Sequence, residues 1–169
     1  MLDNLDGTST IVIDKGVEQG SNQYVTLQGT YLTDSQKAAI ADQWNAKGIQ
    51  GDAQVQQNAL DNTVVVTMAS DVDRHPNAVG NVIFVGGSYA ETNQMVDVIH
   101  EATHVLQLFR DFGGDNRAQA DYVNSYKAIS YPYRPWEMEA FRADGTYSAL
   151  TYWRSVEAFR QLYVMPGYR

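Results

Sequence analysis

The chain has no cysteine among its 169 residues, which excludes disulfide staples, thiolate zinc sites and cysteine nucleophiles together. Basic residues are scarce: 12 Lys and Arg stand against 20 Asp and Glu, for a formal net charge of -8. A chain this acidic repels a nucleic-acid backbone and an anionic lipid surface, so neither is expected as a partner. No run approaches the roughly 18 apolar residues of a membrane-spanning helix, and a soluble protein is predicted. Residues 1–20 carry early acids, Asp3 and Asp6, without a basic start followed by an apolar run, so no signal peptide is expected. That points to synthesis in the cytoplasm and leaves export or association with a virion open.

What is present is ordinary for a globular protein, with 44% hydrophobic and 19% charged residues. The length suits one domain, since domains run to about 100–200 residues. There is no internal repeat and no low-complexity linker. The expected organisation is a single domain over residues 1–169, with residues 1–60 as an N-terminal extension or a substrate-binding subregion.

Pattern and punctuation predict an α+β fold. Residues 10–13 and 24–27 are short β-prone runs, with a polar loop expected over residues 15–22. Thr33-Asp34-Ser35-Gln36 has the form of a capping box, and Ala38, Ala39, Ile40 and Trp44 continue a helix to a stop at Gly48. This is the one helix expected in the N-terminal half. Residues 63–68 and 81–85 are the strongest strands, rich in Val and Ile. A helix follows, capped by Ser88 with Glu91 or by Thr92, and ended by Gly113-Gly114. Residues 115–129 read as a short helix or ordered loop. Residues 130–135 form an aromatic and proline connector, and Pro135 suits the first turn of a last long helix over residues 136–163. The expected architecture is a small N-terminal mixed or antiparallel sheet packed on the central helix, with the long C-terminal helix beside it.

Two of the three histidines lie on that central helix, within His100-Glu101-Ala102-Thr103-His104. This is an HExxH motif. Residues four apart stack on one helix face, so both histidines can hold one metal ion from the same side. Glu101 sits about 100° further round, where it reaches a water rather than the ion. Apolar neighbours such as Val98, Ile99, Val105 and Leu106 mark the helix as buried, and polar groups in such a place need partners. Catalytic zinc commonly takes three protein ligands and keeps a position open for water. The three-histidine extension of the motif needs Gly at 107 and His at 110, and the chain has Gln107 and Arg110.

The segment from Ile99 through the motif to Gln107 resembles the active helix of small gluzincin-type HExxH metallopeptidases, the minigluzincin-like domains of bacterial and phage origin. The resemblance covers residues 81–145. It implies a third ligand from a glutamate on a later helix, within an E-x-E-A-type segment, and Pro135-Trp136-Glu137-Met138-Glu139-Ala140 has that form. Glu137 is the ligand the resemblance implies, with Glu139 the alternative. The two lie about 200° apart on a helix, so only one can face the metal. Many relatives carry Asp or Asn four residues after the ligand, where this chain has Phe141, and Asp144 lies nearby as a supporting carboxylate. The strand over residues 81–85 is expected at the edge of the cleft, where an extended substrate would pair with it.

The function implied is a zinc-dependent metallopeptidase acting on a peptide or protein substrate, with Zn2+ held by His100, His104 and Glu137. Glu101 is the expected general base, and it would pass the proton of the attacking water to the leaving amine. Tyr131 and Tyr133 lead the candidates for a donor to the oxyanion, with Tyr126 and His75 behind them. Asp97, three residues before His100, is a candidate to orient that histidine. The pairs Asp71 with Asp73, and Asp111 with Asp115, lack the spacing of a calcium loop. The rival reading is a silent structural or binding module, such as a virion or secretion-system component, although a silent site has no need of Glu101.

Overall fold

The computed structural model describes residues 2–3, 8–18, 21–67, 76–85, 94–129, 131 and 133–146, with the backbone alone before residue 27. The order of elements is β1 (Leu2–Asp3), β2 (Thr8–Glu18), β3 (Ser21–Tyr31), α1 (Asp34–Ala46), α2 (Ala53–Asn62), β4 (Val64–Thr67), β5 (Asn77–Val79), β6 (Val82–Val85), α3 (Gln94–Phe112), α4 (Asn116–Ser125) and α5 (Pro135–Asp144). The fold is α+β, as the sequence predicts.

The strands form one sheet in the order β1-β2-β3-β4-β6-β5. Pairing is antiparallel except between β4 and β6, which run parallel with Val64 opposite Val82 and Thr67 opposite Val85. The expected polar loop over residues 15–22 is instead mostly strand: Val17 pairs with Asn22 and Glu18 with Ser21, past a register shift between Asp14 and Val17. Backbone pairing needs no apolar side chain, so a polar ribbon extends beyond the β-prone centres at 10–13 and 24–27.

The strand at residues 82–85 is interior, with β4 on one side and β5 on the other. The edge belongs to β5, which sequence reasoning passed over because it is three residues long and directly follows Pro76. The sheet alternates with period two. Ile83 and Val85 face the helices, while Val82 joins Val64 and Val66 on the opposite side.

On the helical side, α1 starts with the reciprocal capping box: the Gln36 N–H donates to Thr33 Oγ1 at 3.3 Å, and the Thr33 N–H to Gln36 Oε1 at 2.9 Å. Ile40 and Trp44, four apart, are its buried residues, and Gly48 at φ +63° follows its end. The second helix, α2, is absent from the sequence expectation. Asp52 caps it through the Val55 N–H at 2.8 Å, but only Gln56, Ala59 and Leu60 are buried, with Val55 partly so. That stripe is too narrow to stand out in a polar segment.

The core cluster joins Leu32, Ile40, Trp44 and Leu60 from the first third of the chain with Val98, Ala102, Val105 and Leu106 of α3. Residues 32–60 are therefore built into the same core as the motif helix. Within it the Trp44 indole N–H donates to Thr103 Oγ1 at 2.9 Å, and that hydroxyl donates to the Ile99 carbonyl at 2.8 Å. Gly113 and Gly114, both at positive φ, end α3, and the Gly114 N–H reaches back to the Leu108 carbonyl at 3.0 Å. The caps expected at Ser88, Glu91 and Thr92 lie outside the described residues.

The last of the described helices starts with Pro135 in its first turn, as expected, and ends at Asp144, far earlier than residue 163. Gly145 adopts φ +83° directly after Asp144, and this left-handed residue turns the chain out of the helix. Residues 147–169 lie outside the described residues. Among the described residues no helix is long and apolar enough to cross a membrane.

Candidate metal centre

Two helices build the site. On α3 the polar residues His100, Glu101, His104 and Gln107 share the cleft side, opposite the apolar face of Val98, Ala102, Val105 and Leu106, while α5 brings Glu137, Phe141 and Asp144 to face them at helical spacing. His100, Glu101 and Gln107 are buried. Such groups are stable there only with partners, and each histidine has one on both sides of its ring.

On the inner side, Glu137 Oε2 lies 3.3 Å from His100 Nε2 and 3.4 Å from His104 Nε2. The ligand atoms of His100, His104 and Glu137 all fall within 4.8 Å of one another, and this group could hold a metal ion. The Trp136 indole N–H donates to the other oxygen of Glu137 at 3.1 Å, which keeps Oε2 turned to the histidines.

On the outer side, His100 Nδ1 donates to Asp144 Oδ2 at 2.8 Å. The other Asp144 oxygen accepts from the backbone N–H and the hydroxyl of Thr146, at 2.7 and 2.6 Å. His104 Nδ1 donates to Gln107 Oε1 at 2.9 Å. The direction of that bond follows from the Gln107 amide, whose nitrogen donates to the Trp136 carbonyl at 3.0 Å and to Glu139 Oε2 at 2.9 Å. Its oxygen is left facing the imidazole. Glu139 in turn accepts from both arms of Arg110, at 2.8 and 2.9 Å. With Nδ1 donating in both rings, both Nε2 atoms can present a lone pair to one point.

The donor set fits a divalent metal of intermediate softness: two imidazoles and a carboxylate, tautomers fixed, with no thiolate. Electrostatics agree. Burial works against a charged His100, but its hydrogen bonds to Asp144 and Glu137 outweigh that and raise its pKa from 6.5 to about 9. His104 is also raised: burial opposes the charge, and Glu137 more than compensates. Burial alone would raise the Glu137 carboxyl, yet its bonds to the two histidines bring it down to about 2. A cluster this rich in negative charge holds cations, whether protons or a metal.

Glu101 faces the same cleft and is not part of the triad. Burial raises its pKa, against the pull of His104, His100 and a hydrogen bond from the Ala78 backbone on the edge strand. The cleft has a volume of about 1030 Å³ and is walled by β5 on one side and by α4 and α5 on the other.

Of the other residues singled out from sequence, Tyr131 lines this cleft and Tyr133 is not among its lining residues. Tyr126 stacks on Tyr122 and Trp136 instead. His75, Asp71 and Asp73 lie outside the described residues. Asp97 lines the cleft, but the carboxylate that orients His100 is Asp144, one turn beyond Phe141. The ring of Phe141 packs edge-on against His100 at 4.6 Å between centroids. Asp111 pairs with Arg110 at 2.6 Å, and Asp115 caps α4.

Sequence reasoning missed Gln107, Arg110 and Trp136 as supports of the site. The signal was present in the spacing of His104, Gln107 and Arg110 along one helix face. Comparison with known protein families, curated proteins and solved structures finds no match to this chain.

Proposed function

We propose that this chain is a zinc-dependent metallopeptidase, with the metal held by His100, His104 and Glu137 and with Glu101 as general base. The observation that carries the reading is the convergence of three ligand atoms, two imidazole and one carboxylate, within 4.8 Å at the wall of an open cleft, with a second buried carboxylate, Glu101, beside them that is not one of the three. A structural site would have no use for that carboxylate.

Bound there, a zinc ion would lower the pKa of a water molecule and polarise the scissile carbonyl. Glu101 takes the proton of the attacking water as its oxygen bonds to the carbonyl carbon, and delivers that proton to the amide nitrogen as the C–N bond breaks. Its raised pKa suits a group that must hold a proton between the two events. Tyr131 is the favoured donor to the oxyanion. Burial and the charges of Glu137, Glu101 and Asp144 push its phenol up to about 12, so it stays protonated throughout the neutral range. Tyr133, outside the cleft lining, loses that role. The edge strand β5 offers its free side to an extended peptide, in place of the interior strand at residues 82–85.

The test is metal analysis of the purified protein, paired with cleavage of a generic peptide library by wild type and Glu101→Gln. Stoichiometric zinc with cleavage lost in the variant is the expected result. Zinc with no difference between the two proteins would remove the enzyme reading, and absence of any metal uptake would remove the site.

A further inference from the structure

Three arginines line the cleft, and they are not equivalent. Arg110 is consumed by Asp111 and Glu139, at 2.6 to 2.9 Å. Arg142 is about half exposed, donates to the Gly48 carbonyl at 3.4 Å and lies 4.0 Å from Glu139. Arg134 differs from both. Among the described residues no carboxylate lies within ion-pair distance of it, and its one hydrogen bond is from Nε to the Ile129 carbonyl at 3.1 Å.

That bond holds the neck of the side chain, and among the described residues neither terminal nitrogen of the fork has a hydrogen-bond partner. The guanidinium carbon lies 5.8 Å from the centroid of the Trp136 ring. Trp136 is itself buried and bonded to Glu137, so the platform beneath the guanidinium is fixed relative to the metal-holding cluster. Arg134 also acts electrostatically on Tyr131, which in turn senses Glu137, Glu101 and Asp144. The free cation and the candidate catalytic groups therefore share one cavity. A half-buried guanidinium with a pinned neck and a free planar fork matches a carboxylate, which it can bind through two parallel bonds.

We infer that Arg134 is a specificity-determining residue that binds a carboxylate of the substrate peptide within the cleft. The carboxylate belongs to the peptide's C-terminus or to an Asp or Glu side chain. The inference rests on the peptidase reading only in taking a peptide as the occupant of the cleft. In a chain with a net charge of -8, one unpaired cation facing the cleft selects for substrates that the rest of the surface repels.

The test is binding, read by fluorescence anisotropy on the full-length, zinc-loaded Glu101→Gln protein so that cleavage does not intervene. The probes are three labelled versions of one neutral alanine-rich hexapeptide: free C-terminus, amidated C-terminus, and amidated with one internal Asp. At least one carboxylate-bearing version should bind about tenfold tighter than the neutral amide, as a charge-assisted pair implies. Which of the two gains identifies the source. Adding Arg134→Gln should shrink the preference to under about twofold, and Arg134→Lys should restore part of it. Equal affinity for all three peptides, absence of binding by any, or a preference that survives Arg134→Gln would each overturn the inference. A carboxylate preference in a protein that cleaves nothing would overturn the peptidase reading and leave Arg134's role intact.

Discussion

Arg110 grips Glu139 with both guanidinium arms, and through Glu139 and Gln107 this pair reaches the outer nitrogen of His104. The two glutamates of α5 thus serve the same histidine from opposite sides, Glu137 at Nε2 and Glu139 through the Gln107 amide at Nδ1. Partners behind a metal ligand typically change affinity by about 10–100-fold when removed. Zinc titration against a competing chelator should show Glu137→Ala losing the metal, while Glu139→Gln and Gln107→Ala keep it with affinity reduced by about that factor. Equal affinity in Gln107→Ala and wild type would show that the relay does not position His104.

Asp144 plays the matching part for His100. Asp144→Asn retains an oxygen for the imidazole N–H and should weaken zinc binding only mildly, whereas Asp144→Ala removes the acceptor and should cost about 10–100-fold in affinity. Asp144→Ala also frees the Thr146 N–H and hydroxyl, so the turn at Gly145 should loosen. Faster amide exchange at Thr146 is the independent reading of that change.

The two helices of the site differ in how well they can be read from sequence. His100, Glu101 and His104 declare themselves because four-residue spacing on an apolar helix has few other uses, whereas Glu137 was singled out only by the resemblance of the later segment to small HExxH peptidases. Asp144 was visible only as a nearby carboxylate, because its bond to His100 depends on how α5 packs against α3. Glu139 could not be separated from Glu137 by periodicity. In the structure Arg110 engages Glu139, and nothing local in the sequence says that residue 110 of one helix meets residue 139 of another. The same holds for the edge strand: β6 was legible from its Val and Ile, but its interior place depends on β5, whose three residues carry no pattern. The helix at Ala53–Asn62 was lost for a related reason, since its inward stripe is narrow and includes Gln56.

The metal-free and metal-loaded proteins should respond to pH in opposite senses. Without metal, His100 has its pKa raised from 6.5 to about 9, so the stability it contributes is complete below pH 6.5 and is lost as pH rises through 9. Glu137 is lowered from 4.5 to about 2, so its contribution is complete above pH 4.5 and is lost as pH falls towards 2. The melting temperature of the metal-free protein should therefore peak between these limits, at about pH 4.5 to 6.5. Zinc must displace the proton from His100, so affinity should climb by about tenfold per pH unit from neutrality to pH 9 if one proton is released. Calorimetry in buffers of different ionisation enthalpy counts that proton directly. Uptake of zinc at pH 7 with no proton release would contradict the raised pKa.

Thr103 lies inside the motif yet faces away from the cluster of His100, His104 and Glu137, and its hydroxyl accepts the Trp44 indole N–H where both residues are fully buried. This bond ties α1 to the back of α3. Thr103→Val preserves shape but leaves the indole N–H without an acceptor, a loss of about 1–3 kcal/mol for a buried donor. Urea unfolding should register that loss as a lower midpoint with an unchanged slope. Because His100 and His104 project from the other side of α3, zinc affinity measured on the folded variant should stay within about twofold of wild type, as expected for sites without shared partners. A larger fall in affinity would mean that the docking of Trp44 sets the position of the histidines as well as the stability of the helix.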